Sequence, residues 1–254
     1  MDKFVWNGIY KNFKEALPFM QGDGFSGKRW LSSLKDRMPM ECIENNALEY
    51  ECFLKHRSLY LPMLISTWEK EDQGCTVLDF GGGLGENYFA LRSSTNIKIN
   101  YYIIEQEEIV AVGKKLYKNS SNLNFVNSLH EIPNEIDYIF FGSSIQYIDQ
   151  WEIVLQKCLE KNPRSIIFDD LPAGKNLSFV TLQTYYESQI IYRFFNLTNL
   201  KEWFEDRSYK VVYCAPFENL GEVRNYPKMM ANFPMEYRLD YCRSLVIRKN
   251  MLSE

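Results

Sequence analysis

Val77-Leu78-Asp79-Phe80-Gly81-Gly82-Gly83-Leu84-Gly85 reads as a buried strand running into a glycine-rich turn, with a helix beginning near Glu86. Glycine lets the backbone turn sharply there and lets a ligand approach it closely. The dinucleotide fingerprint G-x-G-x-x-G fails on this stretch. Aligned on Gly81 and Gly83, it needs a small residue at position 86, which is Glu. Asp79, just before the turn, would also repel a pyrophosphate in a low-dielectric crevice, whereas a cationic ligand would be favoured there.

Outward from this turn, short apolar runs alternate with helical stretches, the sequence form of a parallel α/β sheet. Seven strands are expected: Thr76 to Asp79, Lys98 to Ile104, Leu123 to Val126, Tyr138 to Phe141, Ser165 to Phe168, Tyr209 to Ala215 and Ser244 to Arg248. Trp151, Val154, Leu155, Cys158 and Leu159 recur at i, i+3, i+4, i+7 and i+8, which places one helix face on the sheet. Leu200, Trp203 and Phe204 suggest another helix. Residues 1 to 72 show no convincing strand and are expected to form a helical extension or lid on a core spanning 73 to 254. Within them, 44 to 68 reads as helix with a break at Pro62, carrying Leu48, Phe53, Leu54, Leu59, Leu61 and Leu64, and Gly22 to Gly27 reads as a loop.

The composition narrows the function classes. The 254 residues are 46% apolar, enough for a sizeable core, and 29 basic against 33 acidic side chains give a net charge of -4, which offers no field to gather nucleic acid phosphates. No apolar run approaches a membrane span, and the first residues lack a basic-then-apolar leader pattern, so a cytoplasmic protein is expected. The six cysteines, 42, 52, 75, 158, 214 and 242, include no C-x-x-C pair and no neighbouring His at ligand spacing, so reduced, mostly buried thiols and no metal site are expected. Nothing in the pattern sets an oligomeric state.

Asp79, Gly81, Gly83 and Gly85 match the first motif of the class I S-adenosylmethionine (SAM) dependent methyltransferases, an acidic residue followed by G-x-G-x-G, and the chain resembles that family. The resemblance implies a Rossmann-like, seven-stranded, mostly parallel sheet flanked by helices, with SAM as cofactor and S-adenosylhomocysteine as product. It implies an acidic residue at the second strand end for the ribose hydroxyls. Tyr101-Tyr102-Ile103-Ile104-Glu105 supplies Glu105, with Gln106 beside it. Phe125-Val126-Asn127-Ser128 occupies the place where such proteins contact adenine. Asp79 would favour the cationic sulfonium and the amino-acid ammonium.

The chain also resembles a narrower family of bacterial methyltransferases encoded with capsule or O-antigen polysaccharide genes. The likeness rests on Trp6-x-Gly8-x-Tyr10, on Phe141-Gly142-Ser143-Ser144-Ile145-Gln146-Tyr147-Ile148 and on Phe179-Val180-Thr181-Leu182-Gln183. It departs from that family at Phe168-Asp169-Asp170-Leu171-Pro172, where an arginine is expected near the second Asp. It implies O-methylation of a small-molecule or saccharide acceptor, either a sugar hydroxyl or a phosphate or phosphoramidate-linked group. A non-catalytic SAM-fold partner or scaffold is the alternative.

Ligands in open α/β sheets bind beyond the carboxyl ends of the strands, so the loops after Phe141 and Phe168 should face the methyl group. Ser143, Ser144, Gln146 and Tyr147 are candidates for cofactor or acceptor contacts, with helix capping the competing role for the serines. Asp169, Asp170 and His130 are candidate general bases for a hydroxyl acceptor. An anionic acceptor needs cationic clamps instead, for which Lys175, Arg193, Arg224 and Arg243 are candidates. His56, the other histidine, sits between Lys55 and Arg57 and reads as part of a solvated basic face. The aromatic stretch from Tyr185 to Phe195 is expected to form the acceptor wall beneath the N-terminal lid.

Overall fold

The computed structural model describes residues 4–37, 60–70, 73–218 and 226–250. In chain order its strands are β1 (Trp6–Tyr10), β2 (Cys75–Phe80), β3 (Ile99–Ile104), β4 (Leu123–Val126), β5 (Tyr138–Gly142), β6 (Ser165–Leu171), β7 (Ala173–Gly174), β8 (Phe179–Tyr185), β9 (Ser188–Asn196), β10 (Tyr209–Pro216) and β11 (Arg243–Lys249). Its helices are α1 (Phe13–Ala16), α2 (Lys28–Arg37), α3 (Tyr60–Trp68), α4 (Glu86–Ser94), α5 (Glu107–Leu116), α6 (Trp151–Leu159), α7 (Leu197–Glu205) and α8 (Tyr226–Met229).

The seven expected strands form one sheet in the order β10-β11-β6-β5-β2-β3-β4. β6, β5, β2, β3 and β4 run parallel, while β11 is antiparallel to both β6 and β10. Parallel strands covered on both faces carry nearly continuous apolar runs, which is why they were readable as strands. Successive residues point to opposite faces: Val77, Tyr101 and Ile103 enter one core layer with Leu91 and Phe89 of α4, and Leu78, Ile139 and Ile166 enter the other with Leu155, Cys158 and Phe204. The expected face of α6 therefore lies on the sheet. Cys75, Cys158 and Cys242 are buried, and Cys214 is exposed.

The chain order reverses at β2, whose neighbours are β3 on one side and β5 on the other. A crevice opens at such a switch point, beyond the strand carboxyl ends. The turn at Gly81 lies at its edge.

A second sheet, in the order β1-β8-β9-β7, was not foreseen. β1 corrects the expectation that residues 1 to 72 hold no strand, because it pairs antiparallel with β8, Trp6 opposite Gln183. Gly8 sits in its middle at φ 80, and the register shifts between Asn7 and Tyr10. Such a bulge weakens the alternation that marks a strand. β8 and β9 form a hairpin closed by Tyr186 and Glu187, at φ 42 and 68, with Tyr185 opposite Ser188. Two positive φ values make the mirror-image turn that hairpins favour, but Asn-Gly or Asp-Gly is its usual signal and Tyr-Glu gives none.

The N-terminal region otherwise carries helices, as expected. Leu34 of α2 and Leu61 and Ile65 of α3 are buried in the same core layer as Val77 and Tyr101. Pro62 lies within α3, which continues past it to Trp68. The loop at 22 to 27 contains one 3₁₀ turn, Gly24–Ser26. The remaining expected helix from 44, with Leu48, Phe53, Leu54, Leu59 and His56, lies outside the described residues, as do Cys42, Cys52 and Arg224. No helix among the described residues is long and apolar enough to cross a membrane.

Candidate functional site

β2 ends in a turn whose glycines 81, 83 and 85 take φ values of 74, 59 and 97, a region costly for other residues. Gly82 is required for a different reason: a Cβ there would come within 2.5 Å of the Asp79 carboxyl. Asp79 lies under the turn, 1% exposed, and its Oδ2 accepts hydrogen bonds from Tyr101 Oη at 2.8 Å and Asn87 Nδ2 at 3.1 Å. Its Oδ1 is buried without a hydrogen-bond partner. Burial pushes the Asp79 pKa up to about 6, although the two donated hydrogen bonds oppose the shift. Asp79 thus carries an unspent acceptor directly beneath bare backbone.

β3 delivers Glu105 to the same place. Its Oε1 accepts the Gly83 N–H at 3.1 Å and its Oε2 the Gln106 N–H at 2.9 Å, so the carboxylate braces the glycine turn. Burial raises its pKa. Beyond β4, Asn127 is exposed and its N–H is held by Glu131 Oε1 at 3.1 Å. Ser128 accepts the His130 N–H at 3.2 Å and so caps the next 3₁₀ turn, with the His130 side chain exposed.

The carboxyl ends of β5 and β6 lie side by side, and both carry non-glycine residues in the left-handed region, Ser143 at φ 57 and Asp170 at φ 52. Each such residue costs about 1–3 kcal/mol, and these outliers concentrate where a site needs a fixed direction. A relay joins them: buried Gln146 donates from Nε2 to Ser143 Oγ at 3.0 Å, and Ser143 Oγ donates to Asp170 Oδ2 at 3.0 Å. Asp169 has a different partner. It is 3% exposed, accepts a hydrogen bond from Ser244 Oγ, and burial lifts its pKa to about 7.

These strand ends border a cavity of about 710 Å³, within the usual size for a small-molecule site. Gly81, Glu105, Gln106, Asn127, Ser143 and Asp170 line its sheet side. The opposite wall is aromatic, formed by Trp6 of β1, Phe25, Trp30 of α2, Tyr147, Tyr185 and Tyr192. Phe25 meets Tyr147 edge-on at 4.7 Å and Trp30 at 5.1 Å. Among the described residues lining this cavity there is no Lys or Arg, while Glu105, Glu107 and Asp170 give it a negative lining. A neighbouring space of about 60 Å³ lies along Gly81, Gly82 and Gly83 and is bordered by Asn87, Asp169 and Asp170. Leu34 of α2 closes over it: a Cβ at Gly83 would stand 3.0 Å from its side chain.

The structure therefore gathers most of the expected cofactor residues around one space. Gly83 lines only the smaller neighbouring space, Gly85, Ser128 and His130 line neither, and Asp79 lies buried below the turn. The expected aromatic segment contributes Tyr185 and Tyr192, whereas Phe194 is 0% exposed in a core. The described candidate clamps, Arg243, Arg193 and Lys175, stand elsewhere. Arg243 is buried, paired with Asp240 and bonded to the Ala173 carbonyl; Arg193 donates to the Asp149 carbonyl at 3.2 Å over the Phe13 ring; Lys175 is exposed. Phe25, Trp30 and Gln183 went unforeseen as lining residues. Their only sequence signal is the chain's aromatic content of 15%, which does not tell a wall from a core.

No family model and no curated protein matches the chain. Solved structures do. One is the assigned methyltransferase in a complex with the Haloferax volcanii Trm112 methyltransferase activator, 14% identical, covering 89% of this chain and 97% of that one with a TM-score of 0.54. A second is the PH0226 protein of Pyrococcus horikoshii OT3, 14% identical, covering 88% and 100% with a TM-score of 0.52. A third, from Listeria monocytogenes, is assigned as a SAM-dependent methyltransferase, 12% identical, covering 76% and 100% with a TM-score of 0.51. With the strand order given above, these likenesses show the fold of the class I SAM-dependent methyltransferases.

Proposed function

We propose that this chain is a SAM-dependent O-methyltransferase whose acceptor is a small, uncharged molecule bearing a hydroxyl, of sugar type. The observation that carries the reading is the unpaired, buried Asp79 Oδ1 under a glycine turn that a side chain would fill. A ligand presenting positive charge against bare backbone is what such a cradle suits. SAM, when bound, supplies an electrophilic methyl group on a sulfonium. Asp79 and the backbone at Gly81 and Gly83 would hold its amino-acid end. Glu105, with Gln106, would take the ribose hydroxyls, and Asn127 would stand at the adenine edge.

The acceptor side follows from charge and shape. A phosphate or phosphoramidate oxygen would enter a cavity lined by three carboxylates and, among the described residues, no cation. A neutral sugar-type hydroxyl meets no such penalty, and its ring can lie on the aromatic wall. SAM held there would supply its methyl group to the hydroxyl oxygen, and Asp170 would take the hydroxyl proton. The Gln146–Ser143 relay fixes that carboxylate, which makes Asp170 the better placed base. Asp169 is tied to Ser244, and His130 lies off the cavity. Trp6, Phe25 and Trp30 of the N-terminal region would serve as a lid that excludes water. The resemblance to methyltransferases of the polysaccharide gene clusters supports a saccharide acceptor of bacterial surface-polysaccharide synthesis.

Incubation with methyl-labelled SAM and a panel of neutral glycosides, nucleotide sugars and phosphorylated glycans tests this. Label is expected on a carbohydrate hydroxyl. Label on a phosphate oxygen would refute the acceptor class, and no binding of S-adenosylhomocysteine would favour the scaffold alternative.

A further inference from the structure

A second hollow, of about 490 Å³, lies on the outer side of the aromatic wall. Its inner surface is apolar, with Phe13 of α1 and Ile190 and Ile191 of β9, all at most 9% exposed. Its rim carries Leu17 and Met20, which stand 59% and 40% exposed. Large aliphatic side chains left in water around a concavity mark a place that something apolar covers.

What covers it is indicated by continuity. Phe25, Gln106 and Tyr147 line both this hollow and the main cavity, so the Phe25–Tyr147 contact is the partition between the two. Phe25 is carried on the 3₁₀ turn Gly24–Ser26, which the Gly24 N–H anchors to Ser188 Oγ at 3.2 Å. A side chain at Gly24 would come within 2.9 Å of Ile190, so the turn lies directly against β9. A single molecule with its polar head in the inner cavity would need only to pass this one partition to reach the hollow. Three charged residues also line the hollow, Lys14, Asp23 and Asp149, and all three are exposed, unlike Phe13, Ile190 and Ile191.

We infer that the outer hollow is a second acceptor subsite that takes an apolar, alkyl-type extension of the molecule whose hydroxyl lies in the inner cavity. This rests on the methyl-transfer reading for the role of the inner cavity. The acceptor class then becomes an amphiphile, such as a saccharide on an aliphatic carrier, rather than a free polar sugar.

The test is calorimetric titration of the full chain, mixed with S-adenosylhomocysteine, by methyl β-D-glucopyranoside and by n-octyl β-D-glucopyranoside below its critical micelle concentration. Octyl glucoside is expected to bind about tenfold tighter or more, since each buried methylene adds to affinity. In the Leu17→Asp, Met20→Asp double variant that advantage should fall below about threefold, with S-adenosylhomocysteine affinity unchanged. Both positions are exposed, so the variant should fold. Equal affinity of the two glucosides for the unaltered chain, including no measurable binding of either, or an octyl advantage that survives in the variant, would overturn the inference. Absence of S-adenosylhomocysteine binding would instead strike the methyl-transfer reading, because the octyl-to-methyl ratio is read independently of it.

Discussion

The two walls of the main cavity are made of different material. The sheet wall is backbone and short polar side chains held at consecutive strand ends: the glycine turn, Glu105 gripping the Gly83 N–H, and the Ser143–Asp170 pair. The facing wall is aromatic side chain contributed by β1, α2, the 3₁₀ turn at Gly24–Ser26 and the β8–β9 hairpin, segments far apart in sequence. A wall built of backbone at a switch point suits one fixed ligand, and a wall built of rings can be reshaped for another without touching the first. Donor binding and acceptor choice should therefore separate under mutation.

The largest expected effect tests the rigid wall. Gly82→Val drives a side chain into the Asp79 carboxyl and should remove measurable S-adenosylhomocysteine binding in a calorimeter. Its circular dichroism should still show a folded chain; retained affinity would show that the turn is not the donor cradle. Next is Asp170→Asn, expected to lower kcat by about 100-fold on the acceptor found by labelling while leaving S-adenosylhomocysteine affinity within about twofold. Unchanged turnover would remove Asp170 as the base. Glu105→Gln should weaken S-adenosylhomocysteine by about tenfold, the value of a hydrogen bond to a charged group, with acceptor KM little altered. A shift in acceptor KM alone would place Glu105 on the other wall.

A pH dependence of similar size comes last. Asp79 titrates at about 6 instead of 3.8, because burial disfavours its charge, and a ligand ammonium should favour the ionised form. Affinity for S-adenosylhomocysteine should then rise about tenfold between pH 5 and pH 7 and level off above. In the ligand-free chain the sign reverses. The folded state holds protons on Asp79 and Asp169 that the unfolded state releases near 4, so the stability these groups contribute is greatest below that pH and declines as pH rises towards 7. Affinity flat across this range would separate Asp79 from the ligand's charge.

The same contrast explains what could be read from the sequence. The central strands and the rigid wall were legible because parallel strands buried on two faces are continuous apolar runs, and because Asp79, the glycines and Glu105 stand at fixed offsets in one βαβ unit. The aromatic wall was legible only at Tyr147, Tyr185 and Tyr192, which follow strands whose ends were already located. Trp6 rides on a strand interrupted by Gly8, and the β8–β9 hairpin turns on Tyr186 and Glu187 without a turn signature. Phe25 and Trp30 reach the cavity through tertiary packing that no local spacing encodes. Asp170 was expected, but its separation from Asp169 depends on a positive φ and on Ser244 capturing the neighbour.

The most direct measurement is a calorimetric titration of the unmodified chain with S-adenosylhomocysteine and, separately, with NADH. Saturable one-site binding of S-adenosylhomocysteine with no heat from NADH is the expected result. Binding of the nicotinamide nucleotide, or none of S-adenosylhomocysteine, would contradict the assignment of the glycine turn and Asp79 to a sulfonium donor.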